Sequence, residues 1–371
     1  MFSRTIEKSI REKIKGGKAI VVVGARQVGK TTLLNEILKD KDFLFLDADD
    51  PATRNYLQNP TTEQLRSLIG RHEFVFLDEA QRIPEIGLTL KIIADQFKHV
   101  QLFVSGSSSF DLGNALNEPL TGRKWEYELF PLSWEEYETQ IGLIKAEQNL
   151  ENRLLYGFYP EVINRPGKER ETLKNLVNSY LYRDVLAFSE IRKPDVLEQL
   201  LQALALQVGS EVNYNELSKL IGINKVTVQK YIDVLEKGYV VFRLNSFSRN
   251  VRNEIKRNKK IYFYDNGVRN MLVANFSQLD LRVDKGALWE NFLVSERRKQ
   301  NLYKDTFAKM HFWRSKDQQE VDFVEDVNGK ITGIEFKWQA KNTKFPKSFI
   351  EAYNAEGIRI DRSNFRDFVQ I

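Results

Sequence analysis

The stretch VVVGARQVGKTTLL, residues 21–34, is an apolar run that stops at a glycine, crosses four residues to Gly-Lys-Thr, and turns apolar again. Gly24, Ala25, Arg26, Gln27, Val28, Gly29, Lys30 and Thr31 fit G-x-x-x-x-G-K-[ST], and Thr32 follows. The motif sits between a strand-like AIVVV and a helix-like TTLLNEILKD, which is the context it requires. Its glycines allow a tight turn whose backbone N–H groups, with the helix N-terminus, surround phosphate oxygens. Lys30 is expected to reach the β- and γ-phosphates, and the Thr31 hydroxyl to bind magnesium. The stretch reads as a loop that holds a nucleoside triphosphate.

A second apolar strand, EFVFLDEAQRI, ends in Asp78 and Glu79. One carboxylate is suited to the magnesium shell and the next to activating water. Lys30, Thr31, Asp78 and Glu79 are therefore expected to meet at the carboxyl edge of one parallel sheet. A third strand-like run, HVQLFVSGSSS, ends in small hydroxyls, and a fourth, KWEYELF, follows LNEPLTGR.

The segments GARQVGKTTLL, FVFLDEAQRI, LFVSGSSSFDL and LTGRKWEYELFPLSWEEY, in that order and spacing, resemble the AAA-family ATPases of bacteria and archaea that carry an uncharacterised C-terminal domain. The resemblance covers residues 18–137 and implies an ATPase that binds ATP with Mg2+. It further implies a sensor role at the γ-phosphate for Ser107 or Ser108, and makes Arg123 the candidate for the arginine that stabilises transition-state charge. A lid arginine is also expected of the family, with Arg183 the nearest candidate. The family admits a homo-oligomer in which one subunit's arginine completes the next subunit's site.

Composition narrows the remaining chemistry. The chain has 371 residues, 42% of them hydrophobic and 29% charged, enough for two or three globular cores. It contains no cysteine, which excludes disulfides, thiolate metal sites and cysteine nucleophiles, and its three histidines are scattered. A charged N-terminal segment and the lack of any apolar run of membrane length lead to the expectation of a cytoplasmic protein with no membrane partner.

Residues 1–137 are expected to form the ATPase core and 138–200 a helical lid and linker. Residues 201–260 outline a winged helix-turn-helix: a short helix from Tyr214 to Ile221, a turn at Gly222, and a second helix capped by Asn224. Lys225, Thr227, Val228 and Lys230 would lie on or near the helix that enters a major groove. Arg243, Arg249, Arg252, Lys256, Arg257, Lys259 and Lys260 then cluster against the single acid Glu254, so DNA is the expected partner of the stretch 243–260.

Residues 261–371 hold a second constellation. Glu290 falls in an amphipathic helix, Asp322 in the strand QQEVDFVED, and Glu335 and Lys337 two apart on one face of the strand NGKITGIEFKW. Two carboxylates and an ammonium on paired strands can bind magnesium and steady a phosphate. This resembles the restriction-endonuclease-like, or PD-(D/E)xK, superfamily, with Glu290, Asp322 and Glu335 as metal ligands and Lys337 as a catalytic group. The expected fold is α/β: an AAA-type P-loop parallel sheet, a helical lid, a winged helix and a small endonuclease-like domain. Two functional readings stay open: an ATP-hydrolysing, DNA-associated switch with magnesium-dependent nuclease activity, and a non-cleaving ATP-dependent regulator whose tail docks DNA or a protein.

Overall fold

The computed structural model describes residues 2–107, 119–178, 193–248, 259–339 and 345–370. They form two compact units, Met1–Phe130 with Lys237–Tyr239, and Pro131–Glu236 with Val240–Ile371.

In the first unit the elements run α1 (Ile6–Lys13), β1 (Ala19–Gly24), α2 (Lys30–Leu38), β2 (Phe43–Asp47), α3 (Pro51–Leu57), α4 (Thr62–Ile69), β3 (Phe74–Asp78), α5 (Ile86–Gln96), β4 (Gln101–Gly106) and β5 (Lys124–Leu129). The five strands pair in the order β2-β3-β4-β1-β5, all parallel. The central strands β1, β3 and β4 are buried along their whole length, whereas β2 and β5 are partly exposed. Continuous apolar sequence such as AIVVVG is what a strand covered on both faces demands, and edge strands escape that demand. Because all five strands point the same way, the residues after β1, β3 and β4 converge at one sheet edge.

The second unit opens with helices α6 (Trp134–Ile141), α7 (Leu143–Gln148), α8 (Leu150–Tyr156), α9 (Pro160–Ile163), α10 (Glu169–Leu176) and α11 (Pro194–Leu206). It continues through β6 (Glu211–Val212), α12 (Tyr214–Ile221), α13 (Lys225–Lys237), β7 (Val241–Ser246), β8 (Lys259–Phe263), α14 (Asn266–Leu272) and α15 (Lys285–Tyr303). It ends with β9 (Lys309–Arg314), β10 (Glu320–Val327), β11 (Lys330–Phe336), α16 (Lys347–Tyr353), β12 (Glu356–Ile360) and α17 (Phe365–Gln370).

One seven-stranded sheet, ordered β12-β11-β10-β9-β7-β8-β6, runs through this unit. The strands of the expected winged helix and those of the expected endonuclease-like piece are thus joined, by the parallel pairing of Asn245 with His311 and Ser246 with Phe312. The division expected after residue 260 falls inside β8. An aromatic cluster of Trp134, Phe158, Trp289, Phe292 and Phe365, with ring centroids 5.2–6.4 Å apart in the contacting pairs, packs the first helices against α15 and α17. Beside it, the buried Glu296 accepts from the Trp134 backbone N–H at 2.6 Å and from Lys299 at 2.6 Å, and Lys299 also donates to the Leu132 carbonyl.

Candidate functional site

Gly24 ends β1 with φ at 155°, and a side chain there would place a Cβ only 2.1 Å from the Leu129 carbonyl oxygen on β5. Gly29, at φ 98°, turns the chain into α2. Glycine is what both positions tolerate. Between them Ala25 and Val28 are buried, Arg26 is half-buried and Gln27 is exposed, so side chains anchor the loop beneath while its backbone rims the helix start. Lys30 is buried, and its ammonium donates to the Gly24 and Ala25 carbonyls of its own loop at 3.1 and 2.8 Å.

Thr31, one residue on, donates its hydroxyl to Asp78 Oδ2 at 2.8 Å. The same carboxylate accepts from the Ser105 hydroxyl, on β4 between β1 and β3, and from the Glu79 backbone N–H at 3.2 Å. A hydroxyl and a carboxylate side by side are the donor set a hard, oxygen-seeking ion prefers, so Thr31 and Asp78 fit magnesium. Thr32 is exposed on the first turn of α2.

Glu79 follows in a left-handed conformation, φ 51° and ψ 40°, which turns its side chain out of the strand direction. Its Oε2 accepts from Gln81 Nε2 at 2.5 Å, and that amide nitrogen also donates to Ser107 Oγ at 2.8 Å. Ser107 thus joins the acidic pair through Gln81, whereas Ser108 lies outside the described residues.

Arg123 precedes β5, and Ala19 pairs with Lys124 while Gly24 pairs with Leu129. Arg123 therefore stands at the amino edge of the sheet, roughly 20 Å along the strands from the phosphate loop. There its guanidinium holds Asp95 at 2.6 Å, and it keeps that carboxyl below the usual carboxylate range. As a catalytic group for its own chain's site it is excluded by strand direction. Arg4, which the motif gave no reason to single out, is buried and donates to the Val28 carbonyl at 2.7 Å and to the Phe130 carbonyl at 2.6 Å. It ties the phosphate loop to the end of β5. Arg183 lies outside the described residues.

In the second unit, the register Phe323 to Ile334 between antiparallel β10 and β11 carries on to set Asp322 against Glu335. Lys337 Nζ is 2.9 Å from Glu335 and 3.7 Å from Asp322, and Asp322 also accepts the Phe336 backbone N–H at 2.9 Å. Glu290, near enough to feel Asp322, has other partners: Lys260 approaches it at 3.2 Å and Tyr262 donates to it at 2.6 Å, while Lys260 also pairs with Glu320 at 2.6 Å. The three expected metal ligands do not form one coordination shell. Among the described residues no three aspartate, glutamate or histidine side chains are grouped to hold a metal ion. Asp322, Glu335 and Lys337 meet as expected, whereas Lys260 and Tyr262 take up Glu290. Burial works against the charge of Lys260, but Glu290, Glu320 and Asp322 outweigh it and raise its pKa above the ordinary lysine value. Burial pushes the Glu290 carboxyl up to about 7, with Lys260 pulling against it and Asp322 adding to it. Glu335 is raised as well, by burial and by Asp322.

The expected nucleic-acid face is only partly formed as read. Lys225 and Lys230 are exposed on α13 and Thr227 is half-buried, but Val228 is fully buried in the core and faces no groove. Arg243 is enclosed by Asp233 and Glu236, and Lys260 by the acids above, so neither is available to phosphate. Lys259 is half-buried, and Arg249, Arg252, Lys256 and Arg257 lie outside the described residues. No helix among the described residues is long and apolar enough to cross a membrane.

The comparisons with known proteins divide the chain in three, with a boundary near residue 280 inside the second unit. Residues 16–138 match the family model described as an AAA domain, and 147–280 and 285–368 match two domains of unknown function (DUF8612 and DUF4143). An uncharacterized protein of Mycobacterium tuberculosis is 26% identical over 333 residues, 88% of this chain and 72% of that one. One of Methanocaldococcus jannaschii is 25% identical over 346 residues, 87% of this chain and 75% of its own. Among solved structures, the Walker-type ATPase of Pyrococcus abyssi aligns with a TM-score of 0.50 at 17% identity, over 74% of this chain and 96% of that one, a likeness of fold. Loop, acidic strand and strand order together make the first unit an AAA-type P-loop ATPase domain.

Proposed function

We propose that the chain is an ATP-hydrolysing switch whose second unit associates with duplex DNA without cutting it. The observation that carries the first half is the 2.8 Å contact of Thr31 with Asp78, with Lys30 at the mouth of the same loop and Glu79 next in sequence. When bound, magnesium would supply positive charge against the negative charge that develops on phosphate. Lys30 would exchange its loop carbonyls for phosphate oxygens, Thr31 and Asp78 would hold the ion, and Glu79 would accept a proton from the attacking water. Arg123 would serve only the site of another copy, as in a homo-oligomer.

DNA association rests on the helix-turn-helix formed by α12 and α13, whose exposed Lys219, Lys225 and Lys230 present positive charge. Cleavage is the weaker reading of the tail. Lys260 satisfies Glu290 and Glu320, acids that a nuclease would turn to metal, which supports a docking role. Lys30→Ala should lose ATP binding by at least about tenfold in a nucleotide titration, since it removes a charge-assisted phosphate contact. Supercoiled DNA incubated with the chain and manganese should stay uncut. Nicking that disappears in Asp322→Ala would restore the nuclease reading.

A further inference from the structure

We propose that Gln81 is a positioning residue for ATP hydrolysis, coupling Ser107 at the end of β4 to the orientation of Glu79; this rests on the ATPase reading above. The carboxamide uses both of its ends. Its nitrogen donates to Glu79 Oε2 at 2.5 Å and to Ser107 Oγ at 2.8 Å, and its oxygen accepts the Ser107 backbone N–H at 3.3 Å. Only this orientation of the amide works, because the reverse would point a carbonyl oxygen at a carboxylate and an NH2 group at an N–H. Gln81 is itself half-buried in the short 3-10 turn Ala80–Arg82, directly after Glu79.

The turn is what makes the reach possible. Glu79 sits at positive φ, so the chain reverses at the strand end and carries Gln81 back over β4. A non-glycine residue in that conformation is strained and persists where surrounding bonds enforce it. Here the Glu79 N–H is held by Asp78 and by Ser105 Oγ at 3.3 Å, and its carboxylate by Gln81. The carboxylate of the base is therefore fixed at its backbone by the metal-binding acid and at its tip by a residue that contacts the next strand. A shift of Ser107 by ligand contact moves the Gln81 amide, and with it the carboxylate that must face water.

The test uses the full chain and separates binding from turnover. In Gln81→Met, which keeps length and loses both hydrogen-bonding ends, ATP binding should stay within about twofold while kcat falls roughly ten- to a hundredfold, the size of one misaligned proton acceptor. Gln81→Glu should fall at least as far, because it places a carboxylate against Glu79. In a double-mutant cycle, Ser107→Ala should slow the parent but leave Gln81→Met unchanged, since the path from Ser107 runs through the missing amide. A Gln81→Met protein with parental kcat, or Ser107→Ala effects that simply multiply with it, would overturn the proposal while leaving ATP hydrolysis intact. A parent that binds ATP without turnover overturns both readings. A loss of ATP binding matching the loss of kcat would make Gln81 a general prop of the fold, and overturns the coupling as well.

Discussion

Glu290 shows at the scale of one residue how a tail that reads as a metal site becomes something else. The helix position and the pattern of acids were legible, because spacing along strands of period two is a local property. That Lys260 would sit among them was not, since it comes from a run of basic residues that looks like solvated surface. Its burial follows from the pairing of β8 with β7, which turns Lys260 inward. The consequence is measurable as pH dependence. With the Glu290 pKa raised to about 7 against an ordinary 4.5, the folded state binds more protons than the unfolded chain between those values. Its contribution to stability is therefore greatest below pH 4.5 and is lost as pH rises through 7. Urea denaturation across this window should show Glu290→Gln gaining on the parent as pH rises, by up to about 1.4 kcal/mol per pH unit. Parallel curves for the two proteins would show that the carboxyl is not raised. The phosphate loop, by contrast, was legible in full as a motif, because eight consecutive residues carry it. Gln81 and Arg4 were not, because Ser107 lies 26 residues from Gln81 and the carbonyls Arg4 binds lie 24 and 126 residues from it, and only the fold brings them near.

At the scale of elements, the α12 to α13 turn is built as its sequence indicates. Asn224 accepts from the Thr227 N–H at 2.8 Å and from its hydroxyl at 3.0 Å, closing the start of α13. Asn224→Ala should cost about 1 kcal/mol in chemical denaturation. A change below a few tenths would mean the cap adds nothing. The exposed face of the same helix carries the DNA prediction. Lys225→Ala with Lys230→Ala should weaken duplex binding at low salt and lower the salt slope by up to about two phosphate contacts, for any duplex sequence. An unchanged slope would assign this helix to a protein partner. Val228 illustrates what helical spacing alone leaves open: four candidates fall in one helical segment, and only packing decides that this one belongs to the core.

At the scale of the whole molecule, sequence reading separated the second half into pieces that the structure joins in one sheet. Motifs mark where chemistry begins, but they carry no information on which strands pair across some sixty residues, as β7 and β9 do. The ATPase sheet was easier, since its three central strands are mostly apolar along their buried length and end in the motifs. A fragment of residues 264–371, cut after β8, would lose the β7 partner of β9 and the Lys260 that neutralises Glu290 and Glu320. Near-ultraviolet circular dichroism should show it without fixed tertiary packing, whereas residues 131–371 should fold and melt cooperatively. A cooperatively folded short fragment would restore the separate domain.

The account turns on hydrolysis at the Thr31, Asp78 and Glu79 site. Phosphate release from ATP, followed in magnesium with the full chain and with Glu79→Gln side by side, tests it most directly. The prediction is steady turnover by the parent and a fall of at least about a hundredfold in Glu79→Gln, with ATP affinity retained, because Glu79 acts on water and not on the bound phosphates. Equal rates in the two proteins, or a parent that releases no phosphate, would contradict it.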